Sequence, residues 1–112
     1  MGAGFVRIVT DANFEREVVG SGRLMLVSFG ASWCGPCQLL KPGLRALAAR
    51  QKDRLTVATL DVEASPVTAD LYDVDRYPTC ILFKAGAAVE RLDGYMPLRK
   101  LESALAPYLC DD

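Results

Sequence analysis

The chain has 112 residues, of which 51% are hydrophobic and 24% charged, and its formal net charge is −1. These figures predict one globular domain over residues 1–112, with no basic stripe for nucleic acid or an anionic membrane. No apolar run approaches the ~20 residues of a bilayer-spanning helix, and residues 1–10 hold neither an apolar signal core nor a small-residue cleavage site. A cytoplasmic, reducing location is therefore expected, where a Cys-x-x-Cys pair points to catalysis rather than to a structural staple.

Residues 5–9 read as a short strand. Thr10 and Asp11 then offer an N-cap to a helix running through Val19, with Phe14, Val18 and Val19 on one face and Gly20-Ser21-Gly22 closing it. Residues 24–29 are apolar, β-prone and few, which predicts a buried strand. After Trp33-Cys34-Gly35-Pro36-Cys37, residues 38–51 place Leu39, Leu40, Leu44, Leu47 and Ala48 at helical spacing. Pro42 removes one backbone donor from that helix, so a kink is expected there.

Residues 55–62 form a third strand by the same criteria, and Ser65-Pro66 opens a short helix over 67–72. Residues 79–84 and 88–92 flank Ala85-Gly86-Ala87 as a hairpin. Gly94 breaks the chain, and Pro97 opens a last helix with Leu98, Leu101, Leu105 and Leu109 on one stripe. The order β-α-β-α-β-α-β-β-α predicts an α/β fold. Its centre is a mixed five-stranded sheet flanked by four helices, parallel where helices intervene and antiparallel at the closing hairpin.

The two thiols of Cys34 and Cys37 can trade an internal disulfide for one in another protein. Cys34 falls at a strand-to-helix turn, where unpaired amides and the positive end of the helix dipole favour an anion. Its thiol is expected to ionise readily and to be the nucleophile. Cys37, one turn further in, is expected to be shielded and to resolve the intermediate.

With these residues in place, the chain resembles the thioredoxin family over nearly its full length. The resemblance rests on Trp33-Cys34-Gly35-Pro36-Cys37 after the second strand, Pro42 in the next helix, Tyr77-Pro78-Thr79 before the fourth strand and Gly94 after the fifth. It implies a thioredoxin-like fold and a protein dithiol–disulfide oxidoreductase. Such a protein reduces partner disulfides with no bound cofactor beyond a redox-active Cys34–Cys37 disulfide and no metal. It also implies recharging by a flavin- and NADPH-dependent thioredoxin reductase, disulfide-containing protein substrates, and a monomer. Pro78 is expected to follow a cis peptide bond beside the sulfurs. Its neighbourhood, with Tyr77, Thr79 and Gly94, is expected to present a backbone edge to an extended substrate segment. Trp33, Gly35 and Pro36 complete that surface. The absence of histidine between the cysteines, and anywhere in the chain, leans the protein toward a reductant.

Three positions depart from the family pattern. Ser28 stands where thioredoxins usually bury an Asp, Thr59 where they place a Lys facing it, and Gly30 where many carry a second Trp. Losing both partners of a buried charge pair can be neutral, whereas losing one costs roughly 3–5 kcal/mol. A Ser28–Thr59 hydroxyl contact could fill the vacated space. The family's Asp is thought to help deprotonate the second cysteine, so resolution by Cys37 is expected to be slower, with water carrying the proton. Gly30 is expected to make the rim of the site roomier.

Of the two further cysteines, Cys80 reads as a quiet core thiol that lies close to Pro78 in sequence. Cys110 reads as an exposed thiol, with a dimer disulfide as its sharper reading. A non-catalytic binding or scaffold module with weak redox activity is the alternative function; the change at Ser28 and Thr59 favours it and the intact five-residue motif opposes it. A zinc site on Cys34, Cys37 and Cys80 or Cys110 lacks a histidine or a second Cys-x-x-Cys.

Overall fold

The computed structural model describes residues 4–109. Its five strands are β1 (Arg7–Ile8), β2 (Met25–Gly30), β3 (Thr56–Asp61), β4 (Thr79–Lys84) and β5 (Ala87–Asp93). The four α-helices are α1 (Phe14–Glu17), α2 (Gly35–Arg50), α3 (Pro66–Leu71) and α4 (Leu98–Leu109). The sheet order is β1-β3-β2-β4-β5; β1 and β2 run parallel to β3, while β4 is antiparallel to both β2 and β5. This is the expected mixed five-stranded sheet with four helices.

The mostly apolar inner strands bury both faces of the sheet, as strands between two helical layers require. Met25, Val27, Phe29, Ala58, Leu60, Ile81 and Phe83 pack with Phe14 and Val18 on one side. Leu26, Val57, Cys80 and Leu82 alternate to the other, against Leu40, Leu44 and Leu47 of α2 and Leu101, Leu105 and Leu109 of α4. The predicted stripe of α4 is thus the one that is buried. The tight hairpin needs positive φ at both Ala85 (52°) and Gly86 (85°). Gly86 has a second constraint: a Cβ there would lie 2.7 Å from the Val19 carbonyl oxygen.

The first helix departs from expectation. It spans only Phe14–Glu17, and the chain then tightens into a 3-10 turn at Val19–Ser21 before Gly22 turns left-handed with φ 72°. The β-branched Val18 and Val19, followed by glycine, favour helix poorly. Asp11 does not cap this helix at all. Its carboxylate accepts from the Val67 N–H (3.1 Å), the Thr68 N–H (2.8 Å) and the Thr68 hydroxyl (2.7 Å), closing the N-terminus of α3 instead. Partial burial pushes the Asp11 carboxyl up, but these Thr68 and Val67 donors outweigh it and hold it below its ordinary value. At Pro42, α2 continues as one element.

Candidate active site

The site forms where β2 ends and α2 begins. Cys34 is the N-cap of α2, with Gly35 and Pro36 as its first two residues. Of the amide donors that a helix start leaves unpaired, Pro36 has none to offer. Gln38 N–H donates to the Cys34 carbonyl (3.2 Å), and Cys37 N–H donates to Cys34 Sγ (3.2 Å). The sequence Gly-Pro between the cysteines therefore directs one backbone donor onto the first sulfur. Cys34 and Cys37 are joined in a disulfide, with their Cα atoms 5.2 Å apart.

Both cysteines are buried, at 5% and 8% exposure, so the expected contrast in shielding is not one of total burial. The distinction is directional. Cys34 takes the amide hydrogen bond, while Cys37 lines a cleft of about 170 Å³ behind the helix start.

Around the disulfide, Trp33 is 64% exposed, and its indole N–H donates to Glu63 Oε2 at 2.8 Å. The Trp33 ring stands edge-on to Tyr77, centroids 5.8 Å apart. The Tyr77–Pro78 peptide bond is cis, as the resemblance implied. The Pro78 carbonyl accepts from Gly94 N–H at 2.7 Å, which ties these two segments together, and Gly94 holds φ 87°. Thr79 is fully buried; its hydroxyl lies 2.8 Å from the Arg76 carbonyl and 3.2 Å from Asp93 Oδ1. Arg91 approaches the same Asp93 oxygen through Nε (3.4 Å). Its other nitrogens donate to the carbonyls of Tyr72 (2.7 Å) and Asp73 (2.8 Å), at the C-terminal end of α3. A guanidinium there also meets the negative end of the helix dipole.

Ser28 and Thr59 are in register across β2 and β3, and Ser28 is also in register with Cys80 on β4. Ser28 and Thr59 both line an open cleft behind Cys37, so the pair leaves space unfilled, and Ser28 stands opposite Cys80 on β4. Two short side chains cannot span a volume that a carboxylate and a long ammonium stem would occupy. Gly30 lines the same cleft, and a Cβ added there would lie 2.9 Å from Cys37 Sγ, so the glycine lets that sulfur pack closely against the end of β2.

Cys80 is 1% exposed, and burial pushes its thiol up to about 11 although the Ser28 hydroxyl pulls the other way. It is a neutral core thiol at physiological pH. Cys110 lies outside the described residues. Among the described residues no group of three or more His, Cys, Asp or Glu side chains could hold a metal ion. No helix among them is long and apolar enough to cross a membrane.

Several residues at the site were not singled out from sequence. Glu63, the partner of Trp33, lies 30 residues away and has no local signal. Lys41 and Asp61 line the cleft with Cys37; Lys41 could have been found, because it stands four residues after Cys37 on the same helix. Asp93 directly precedes Gly94.

The Thioredoxin family model matches residues 5–107. The chain is 43% identical over 101 residues to a thioredoxin of Alicyclobacillus acidocaldarius, covering 90% of this chain and 95% of that one. It is 47% identical over 103 residues to a thioredoxin of Mycolicibacterium smegmatis, covering 87% and 92%. A bifunctional thioredoxin reductase/thioredoxin of Mycobacterium leprae is 45% identical over 92 residues, 82% of this chain and 20% of that longer protein. With a Cys-x-x-Cys disulfide at the start of α2 and a cis proline in the adjoining loop, the chain belongs to the thioredoxin family and is a protein disulfide oxidoreductase.

Proposed function

We propose that residues 1–112 act as a single-domain monomeric reductant. In it the Cys34 thiolate attacks a partner protein's disulfide and Cys37 resolves the mixed disulfide. The observation that carries this assignment is the Cys37 N–H directed at Cys34 Sγ, at the N-terminus of a 16-residue helix. A negative sulfur accepts that bond more strongly than a neutral one, so the bond favours ionisation of Cys34. Trp33, Tyr77, Pro78, Thr79 and Gly94 form the platform on which a substrate segment lies. Neither the N–H nor the C=O of Tyr77 pairs with another backbone group among the described residues, which leaves them for an added strand.

The electrons come from a thioredoxin reductase using FAD and NADPH, and no further cofactor or metal is required by the protein itself. The name of the bifunctional mycobacterial relative supports such a pairing. A reducing compartment, the cytoplasm, suits both the proposed reductase and the neutral Cys80 thiol.

Reduction of insulin by dithiothreitol, followed by turbidity, tests the reading. The wild-type protein is expected to accelerate precipitation, and Cys34→Ser is expected to return the rate to that of dithiothreitol alone. Equal rates with and without the wild-type protein would point to the scaffold reading instead.

A further inference from the structure

Resolution requires Cys37 to lose a proton, yet within the cleft β2 and β3 offer it the hydroxyls of Ser28 and Thr59, with the exposed Asp61 carboxylate only at the end of β3. What the cleft does offer is charge at two points. Lys41 lines it from α2 and Asp61 from the end of β3. Lys41 is at i+4 from Cys37, hence on the same face of α2. Helical side chains lean toward the helix N-terminus, which directs the exposed Lys41 side chain toward the turn that carries Cys37. Asp61 is partly committed elsewhere, since its Oδ1 accepts from Glu63 N–H at 2.9 Å. From β2 the cleft receives only Ser28 and Gly30, and from the following loop Ala31 and Ser32. Beyond Ser28, β4 contributes the neutral Cys80 thiol. Lys41 is thus the one cation lining the cleft among the described residues.

We propose that Lys41 is a positioning residue for the resolving step, its ammonium group favouring the Cys37 thiolate while the proton leaves through the hydrated cleft. The proposal rests on Cys37 being the resolving thiol. The cleft is roomy enough for several water molecules, and Ser28, Thr59 and Asp61 give them polar partners along an otherwise largely apolar lining. It need not be a dead end, since a neighbouring hollow shares Lys41, Leu44 and Thr59 and opens beside Phe5, which is 62% exposed. Cys37 gives its proton to water in the cleft, and the resulting thiolate attacks Cys34 Sγ in the mixed disulfide. A Cys34–Cys37 bond forms and the bond to the partner breaks. The electron pair leaves on the partner's sulfur, which takes a proton from solvent. The partner is reduced and the protein oxidised, with no further reactant. The cation has thus moved from the sheet, where Thr59 stands, to the helix, and it acts without a buried base.

The test is stopped-flow mixing of reduced protein with a symmetric aromatic disulfide whose two halves absorb when released. The first half reports attack by Cys34 and the second reports resolution by Cys37. Lys41→Met is expected to slow the second phase by about threefold to tenfold at pH 7 and to move its pH midpoint upward, leaving the first phase unchanged. Lys41→Arg is expected to restore both the rate and the midpoint. A second phase in Lys41→Met that superposes on wild type at every pH, or one that is equally slow in Lys41→Arg, would overturn the role of Lys41. Loss of the first phase in the wild-type protein would instead overturn the assignment of Cys34 and Cys37.

Discussion

Cys37→Ser is expected to hold substrate proteins on Cys34 as stable one-to-one mixed disulfides and to reduce multiple-turnover insulin reduction to the background rate. The substitution removes the sulfur but not the backbone. The residue-37 N–H that donates to Cys34 Sγ at 3.2 Å remains, and so does the helix N-terminus behind it. Attack therefore proceeds, and the second displacement has no nucleophile. The adduct is read as a shifted band on a non-reducing gel that dithiothreitol collapses. The double substitution Cys34→Ser, Cys37→Ser serves as the control: Cys80 is buried and neutral, so any adduct that remains reports Cys110 and is subtracted. Turnover by Cys37→Ser equal to wild type would contradict the division of roles between the two sulfurs.

Phe83→Ala is expected to cost about 3–5 kcal/mol, the range for removing a fully buried phenylalanine. Phe83 is fully buried on β4, in register with Met25 of β2. Its ring meets Phe14 of α1 edge-on at 5.5 Å and Tyr72, just past α3, at 5.2 Å. One side chain thus joins the sheet to two of the helices, and both aromatic contacts vanish with it. Against the ~5–15 kcal/mol that stabilise a small domain, the loss is large. It is measured as a fall in the urea midpoint at constant m. Phe5→Ala, at an exposed position, is the comparison and is expected to stay within about 0.5 kcal/mol of wild type. A change below 1 kcal/mol for Phe83→Ala would contradict this account of the core.

The reacting sulfurs were legible because their chemistry is local. A short apolar strand, a turn with two cysteines and an amphipathic helix lie within thirty residues, and each carries its own periodicity. The strands at 24–29, 55–62 and 79–84 were legible for a related reason: burial on both faces writes itself as a short, mostly apolar and β-prone run. What remained hidden depends on partners distant in sequence. Asp11 reads locally as the cap of the first helix, yet its carboxylate serves α3, at sequence separations of 56 and 57 residues. Register decides that Ser28 meets Cys80 as well as Thr59, and neither strand alone encodes that pairing. The cleft behind Cys37 needs three things at once: the helix face of Lys41, the end of β3 at Asp61, and the small volumes at Ser28, Gly30 and Thr59. The substitutions were visible as departures from a pattern, but the space they leave becomes visible only once the strands are paired.

The most direct test of the account follows the alkylation rate of Cys34 in the reduced protein against pH, with the modified peptide identified by mass spectrometry. The amide-capped sulfur is expected to react half-maximally well below the midpoint of an ordinary cysteine, because the Cys37 N–H and the start of α2 favour its thiolate. A midpoint at the ~8.5 of an ordinary cysteine would contradict it, for the start of α2 would then do nothing to hold a negative sulfur.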